Sequence, residues 1–265
     1  MRTKVYDPED HRILYFDAKA DEAFWDDRWE NLAGEIFSHP PRNRYVVQTT
    51  QKYLPVGSRI MEGGCGLSQM VYSLDKAGYD VHGIDYAPKV VEAVNRQWPH
   101  LNITQGDVRN ISAADSTYDG YWSFGVIEHF PEGYEDIARE MWRVLRPGGY
   151  LFLSFPTFNS YRQGRAKAGV YPSWPMRECD MTDFYQFALN PADVRAQFEA
   201  LGFDTVEHRG TNSLLGLAED SAAAGLVQSL LRKWHGRLET VANAALDLVL
   251  GRYAGHSALF ILHKK

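Results

Sequence analysis

Hydrophobic and polar positions along this chain change period several times, and the changes mark out its elements. Residues 59–62, 81–85, 103–107, 118–124 and 150–155 are short apolar runs of strand length. Between them lie stretches with helical spacing: one that runs to Ala77 and is stopped by Gly78, one over 88–98 with Pro88 as its first residue, and one over 132–145. In the last of these Ile137, Met141, Val144 and Leu145 share a face, and Arg146-Pro147-Gly148-Gly149 then ends the helix and turns the chain. Strand–helix alternation of this kind predicts a parallel sheet with helices on both faces. Further strands are predicted over 204–209 and 257–262, with a helix over 191–201 ended by Gly202. That makes seven strands in all.

Three stretches fall outside the alternation. Residues 1–54 read as an N-terminal helical cap: Phe24, Trp25 and Trp29 share one helix face, and Pro40-Pro41 breaks the chain before a second helix over 42–53. Residues 156–190 are loop-rich, with Pro172, Pro175 and several aromatic residues, and read as an insertion. Residues 212–252 are a helical insertion in which Leu226, Leu230, Trp234, Leu238, Val241 and Ala245 form one stripe. Such a stripe is expected in a core or a dimer surface sooner than on a membrane. The remainder, 55–265, reads as one α/β domain.

Composition narrows the function. The 265 residues carry a formal charge of −6, so a nucleic-acid partner is not expected. Cys65 and Cys179 are too few and too far apart for a disulfide framework or a zinc cluster, so no metal site is predicted. No apolar run reaches the length of a membrane span and the N-terminus lacks a signal peptide, so a cytoplasmic protein is expected. Homodimerisation stays open.

The chemistry gathers at the carboxyl ends of the predicted strands, where sheets of this kind bind ligands. Glu62-Gly63-Gly64-Cys65-Gly66 joins the first strand to the first helix. Glycines there allow a tight turn and close approach of a ligand to the backbone. A dinucleotide loop wants a third glycine where Gln69 stands, and the Glu62 carboxylate would repel a diphosphate. A cationic, amine-bearing ligand such as S-adenosylmethionine suits the loop better; an NAD-dependent oxidoreductase is the alternative. Asp85 ends the second strand, where a carboxylate can accept from both hydroxyls of a ribose. Asp107 ends the third and can accept from an exocyclic amine, with the Val108 N–H beside it.

These motifs, Glu62 to Gly66, Gly83-Ile84-Asp85, Gly106-Asp107-Val108 and Arg143 to Gly149, resemble those of class I S-adenosylmethionine-dependent methyltransferases. The closest similarity is to the group resembling the ubiquinone and menaquinone biosynthesis enzymes. It is strong over 55–156 and weaker over 184–210 and the last strand. The resemblance implies a Rossmann-like, mostly parallel seven-stranded sheet with an N-terminal helical cap and a lid insertion. It implies S-adenosylmethionine bound by Glu62, Gly63, Gly64, Cys65, Gly66 and Gln69 at its methionine end, by Asp85 and Tyr86 at the ribose and adenosine, and by Gly106, Asp107 and Val108 at the adenine. Backbone groups of Ser123, Phe124 and Gly125 would lie near the methionine end. Ser68 departs from the family, many members having glycine there.

Transfer to an O, N or C atom of a small molecule is the expected activity. A non-catalytic cofactor-binding module is a further alternative. His129 and Glu128, just past the fourth strand, are the candidate general base and its neighbour; the same pair could ligate a divalent ion or cap a helix. The lid supplies Tyr161, Tyr171, Trp174, Phe184 and Tyr185 as a candidate aromatic pocket. Arg162, Arg165, Lys167 and Arg177 hint at an anionic acceptor. Residues 123–126, Ser-Phe-Gly-Val, lack the motif of DNA amino-methylating enzymes.

Overall fold

The N-terminus departs from the helical expectation at once. The computed structural model describes residues 3–39, 43–233 and 237–265, and side chains in all of these but 232, 233 and 237–240. Strands β1 (Thr3–Asp7) and β2 (Arg12–Phe16) form an antiparallel hairpin with Val5 opposite Leu14. Val5, Tyr6, Ile13, Leu14, Tyr15 and Phe16 favour a pleated, half-buried surface. The surface that buries them comes from much later in the chain, so no local pattern announces it. Only then does helix α1 (Glu22–Ser38) begin, its Asp21 side chain accepting from the Phe24 N–H. Helix α2 (Arg44–Tyr53) is capped in the same way by Asn43. The predicted break at Pro40-Pro41 lies outside the described residues.

The alternation then runs as the periodicity predicts. In order come β3 (Arg59–Gly63), α3 (Gln69–Asp75), β4 (Asp80–Asp85), α4 (Pro88–Gln97), β5 (Asn102–Gln105), β6 (Tyr118–Phe124), a single 3-10 turn at Ile127–His129, α5 (Glu135–Val144) and β7 (Leu145–Pro156). The predicted turn at Arg146-Pro147-Gly148-Gly149 is absorbed into β7 as an irregularity in its pairing with β6. Beyond it lie α6 (Ser160–Lys167), a 3-10 turn at Met176–Glu178, β8 (Phe184–Ala188), α7 (Pro191–Ala200), β9 (Phe203–Thr211), α8 (Ser213–Ala218), α9 (Ala222–Lys233), α10 (Arg237–Ala254) and β10 (Ser257–Lys264).

Seven strands form the main sheet in the order β5-β4-β3-β6-β7-β10-β9. The five from β5 to β7 are parallel, and β10 runs antiparallel to both its neighbours. Strand order reverses between β3 and β6, which opens a crevice above their carboxyl ends. Alternate residues feed the two faces. Tyr121 joins Met61, Ile137, Met141 and Phe198 on the side of α5 and α7. Trp122 joins Ile60, Val71, Val94 and Phe152 on the side of α2 to α4. Trp122 stacks on Phe152 at 4.5 Å, and its indole N–H reaches Thr50 Oγ1 at 3.0 Å, so its polar edge is satisfied in the core.

A second sheet of order β1-β2-β8 unites the hairpin with the insertion, Ile13 opposite Ala188 and Leu14 opposite Phe187. Residues 156–190, predicted as a loop-rich insertion, hold a capped helix and a strand. The described side chains of the apolar stripe on α9 and α10 take no part in the core. Leu226 is 68% exposed and Leu230 and Val241 are exposed as well, while Trp234 and the Leu238 side chain lie outside the described residues. Among the described residues no helix is long and apolar enough to cross a membrane.

Candidate active site

The loop after β3 is shaped by its glycines and by the end of β4. Gly64 and Gly66 have φ of +71° and +48°, in the left-handed region. A Cβ on Gly64 would come within 2.5 Å of Val126, and one on Gly66 within 2.8 Å of the Trp29 ring. Ser68 also sits there, at φ +56°, which is the physical reason glycine suits that position. The Gly64 and Cys65 N–H groups both donate to the Ile84 carbonyl, at 2.8 and 3.0 Å. Asp85 completes the clasp, its Oδ2 accepting from the Gly66 N–H at 2.7 Å and its Oδ1 from the Ala87 N–H at 3.0 Å. Burial raises the Asp85 carboxyl and these N–H bonds oppose the rise.

Two predicted ligands are placed otherwise than the motif alone suggests. Glu62 is buried, and its carboxylate accepts from the Val71 N–H inside α3 at 3.1 Å, so it braces the loop from below. Burial pushes its pKa well up. Asp107 sits at the rim with both oxygens on Arg109, at 2.7 Å for the closest pair, and this guanidinium holds its carboxyl below the usual range. Arg109 also reaches Glu132 at 2.8 Å and lies over the Phe130 ring. Cys65 is buried with its thiol pushed up by burial, which keeps it protonated. Gln69 is half-buried at the start of α3, and the Val108 side chain points into the core. The Gly106 N–H donates to the Asp85 carbonyl at 2.9 Å, joining the β5 end to the β4 end. At the end of β6, Ser123 is buried, Phe124 is half-exposed, and the Gly125 N–H is held by the Ser154 carbonyl at 3.0 Å.

Helix α1 roofs this floor. Its Trp29 lies on Gly66, and its Trp25 stacks along Trp29 and meets the His129 ring edge-on at 4.9 Å. The Tyr86 hydroxyl donates to the Ala20 carbonyl just before the helix, at 3.3 Å. His129 is held from a third direction: its Nδ1–H donates to the Tyr185 carbonyl of β8 at 2.7 Å. Glu128, 2% exposed, has an Oε2 with no hydrogen-bond partner, and burial pushes its carboxyl up to about 8. Three parts of the chain, the aromatic face of α1, the β6 end and β8, thus converge on the Glu128-His129 pair.

Other expectations do not converge there. Of the five predicted pocket aromatics, Tyr185 reaches the site, its ring 5.1 Å from that of His129; Tyr171 packs with Ile13 and Tyr15, Phe184 packs with Phe16 and Phe187, Trp174 is half-exposed, and Tyr161 faces Tyr253, so the five line no single pocket. Arg162 is fully buried on Glu219 at 2.8 Å, and Arg177 pairs with Glu9, so these two of the predicted basic residues are spent on ion pairs, while Arg165 lies over the Tyr161 ring. Among the described residues no three His, Cys, Asp or Glu side chains gather as a metal site. No local pattern signals β1, β2 or their union with β8, and none marks Asp26 of α1, which is buried here with one oxygen lacking a partner.

An adenosyl amino acid fits what is present: a left-handed glycine turn with no room for a Cβ beside Val126 and Trp29, a carboxylate at the β4 end, and buried polar atoms of Asp26, Ser123 and Glu128 left without partners. The comparisons agree. Residues 61–153 match the model of a methyltransferase domain family. The chain is 27% identical over 184 residues to a probable S-adenosylmethionine-dependent methyltransferase of Mycolicibacterium smegmatis, covering 69% of this chain and 66% of that one. It is 28% identical over 179 residues to a ubiquinone biosynthesis O-methyltransferase of Xanthomonas axonopodis, covering 65% and 72%. Among solved structures, a TehB-like S-adenosylmethionine-dependent methyltransferase of Corynebacterium glutamicum shares the fold, with TM-score 0.54, 16% identity, and 92% and 98% of the two chains covered. Residues 61–153 are thus a methyltransferase domain, and the matches together with the fold support a class I S-adenosylmethionine-dependent methyltransferase. The reading as an NAD-dependent oxidoreductase is set aside, and S-adenosylmethionine is the cofactor.

Proposed function

We propose that this methyltransferase acts on a hydroxyl group of a small aromatic acceptor, with His129 as the general base. The observation that carries the reading is the 2.7 Å bond from His129 Nδ1 to the Tyr185 carbonyl. A carbonyl only accepts, so the ring carries its proton on Nδ1, and a neutral imidazole then has its lone pair on Nε2. That tautomer can take a proton from a phenol. S-adenosylmethionine supplies the electrophilic methyl group on its sulfonium. The chain's residues supply orientation, exclusion of water and removal of the acceptor's proton. The aromatic ring of Trp25 beside His129 offers an apolar, flat wall to a flat acceptor. The O-methyltransferase of ubiquinone biosynthesis among the relatives supports the same acceptor class.

Within this reading the loop Gly63 to Gly66 with Gln69 lies along the methionine end, and Glu62 fixes that loop through Val71. Asp85 takes the ribose, with Tyr86 beside it. Gly106, Asp107 and Val108 take the adenine, and the backbone of Ser123, Phe124 and Gly125 adjoins the methionine end. The test is turnover with S-adenosylmethionine and a panel of catechols, hydroquinones, amines and thiols, read as S-adenosylhomocysteine formed. Phenolic acceptors should be turned over. His129→Ala should lose about 10²-fold or more in kcat with an ordinary phenol and recover much of it with a nitrophenol already ionised at the assay pH. An equal loss with both acceptors refutes the role of His129; turnover of amines alone refutes the acceptor class.

A further inference from the structure

The roof helix carries a carboxylate that its own packing does not explain. Asp26 stands three residues before Trp29, which covers Gly66, and so adjoins the side of the helix turned to the glycine loop. It is 4% exposed. Its Oδ1 has no hydrogen-bond partner, and its Oδ2 has only the exposed Lys89 ammonium at 3.9 Å, beyond hydrogen-bond reach. A buried carboxylate in that condition is expensive, and nothing in an α-helix requires one at that position. Asp26 also faces the end of β4. Burial raises the Asp85 carboxyl and the Asp26 charge adds to the rise, and the same two carboxylates act on Tyr86. The Asp26 carboxylate thus lies near enough to Asp85, across the gap between roof and floor, for the two charges to oppose one another.

Asp85 spends one lone pair of each oxygen on backbone N–H groups, which fixes its orientation and leaves it able to accept again. A ribose brings two adjacent hydroxyls, each of which must donate once when buried. One floor carboxylate and one roof carboxylate match that diol. We propose that Asp26 is a cofactor-binding residue which accepts a hydrogen bond from one ribose hydroxyl of the adenosyl cofactor while Asp85 accepts from the other. The cofactor then ties α1 down over the glycine loop. The inference rests on the placement of the ribose at Asp85 given above.

The test is isothermal titration of the full chain with S-adenosylhomocysteine and with its 2′-deoxy and 3′-deoxy analogues, so that no acceptor is needed. Asp26→Ala should weaken S-adenosylhomocysteine by about 10- to 100-fold, the range for a hydrogen bond to a charged group. One of the two deoxy analogues should bind wild type more weakly by a similar factor and lose little further in Asp26→Ala. The melting temperature without ligand should be unchanged or higher in Asp26→Ala, because an unpartnered buried carboxylate has been removed. Losses from the variant and from both deoxy analogues that simply multiply would overturn the proposal. So would a Lys89→Gln variant that reproduces the whole effect, since Asp26 would then act only by tethering α1 to α4. Asp85→Ala separates the two readings. If it leaves affinity for S-adenosylhomocysteine intact, the ribose placement itself fails; if it weakens binding while Asp26→Ala does not, only the role of Asp26 fails.

Discussion

Replacing Glu128 by glutamine should make this protein more stable, and increasingly so as the pH rises. The side chain is 2% exposed, its Oε2 has no partner, and burial lifts its pKa from 4.5 to about 8. Between those two values the folded chain holds a proton that the unfolded chain has released. Stability contributed by the group is therefore fully present below pH 4.5 and is lost as the pH climbs toward 8. At pH 7 the interval is about 2.5 pH units, which at about 1.4 kcal/mol per unit is on the order of 3 kcal/mol. At pH 5 less than about 1 kcal/mol is lost. Glutamine is nearly isosteric and carries no proton to lose. Glu128→Gln should thus match wild type within about 1 kcal/mol at pH 5 and exceed it by about 3 kcal/mol at pH 7 and about 4 kcal/mol at pH 8. For a chain of this size that is a rise of several degrees in Tm. Urea denaturation of both proteins at pH 5, 7 and 8, in protein free of cofactor, measures the difference. Two stability curves that stay parallel across that range would refute the reasoning, because Glu128 would then be ionised and compensated in the folded state.

Three further outcomes follow from the same geometry. Asp85→Ala removes the acceptor of the Gly66 and Ala87 N–H groups as well as the ribose partner, so cofactor affinity and stability should each fall by about 1–3 kcal/mol; calorimetry and urea denaturation together check this, and a loss in only one contradicts it. Gly66→Ala puts a Cβ against Trp29 at a residue with positive φ, so α1 should be displaced; tryptophan emission should shift to the red and cofactor affinity should fall, and an unchanged spectrum counts against the roof. Arg162→Leu leaves the half-buried Glu219 and Asp220 with Lys4, and Glu219 with His256, as their remaining partners; a loss of about 3 kcal/mol in urea denaturation is expected, and a change below about 1 kcal/mol would mean that the cluster contributes little.

The amino-acid sequence by itself determined the seven-stranded sheet, the glycine loop and the acids at the strand ends. Each of these is local: a strand of four to twelve residues, a left-handed turn, or a carboxylate at or just past a strand end declares itself in its own neighbourhood. Ser68 shows the limit of even a local reading, since the substitution is visible in sequence but its φ of +56° is not. Tertiary structure decided what is not local. It paired β2 with β8 across some 170 residues, turned Glu62 inward to Val71 and Arg162 inward to Glu219, and locked Asp107 onto Arg109. It also laid α1 over the loop, which brought Trp25, Tyr185 and His129 together. The physical reason is that periodicity reports which face of an element is apolar, while the partner of that face, and the direction in which a charged side chain finds its counter-charge, are set by segments distant in the chain.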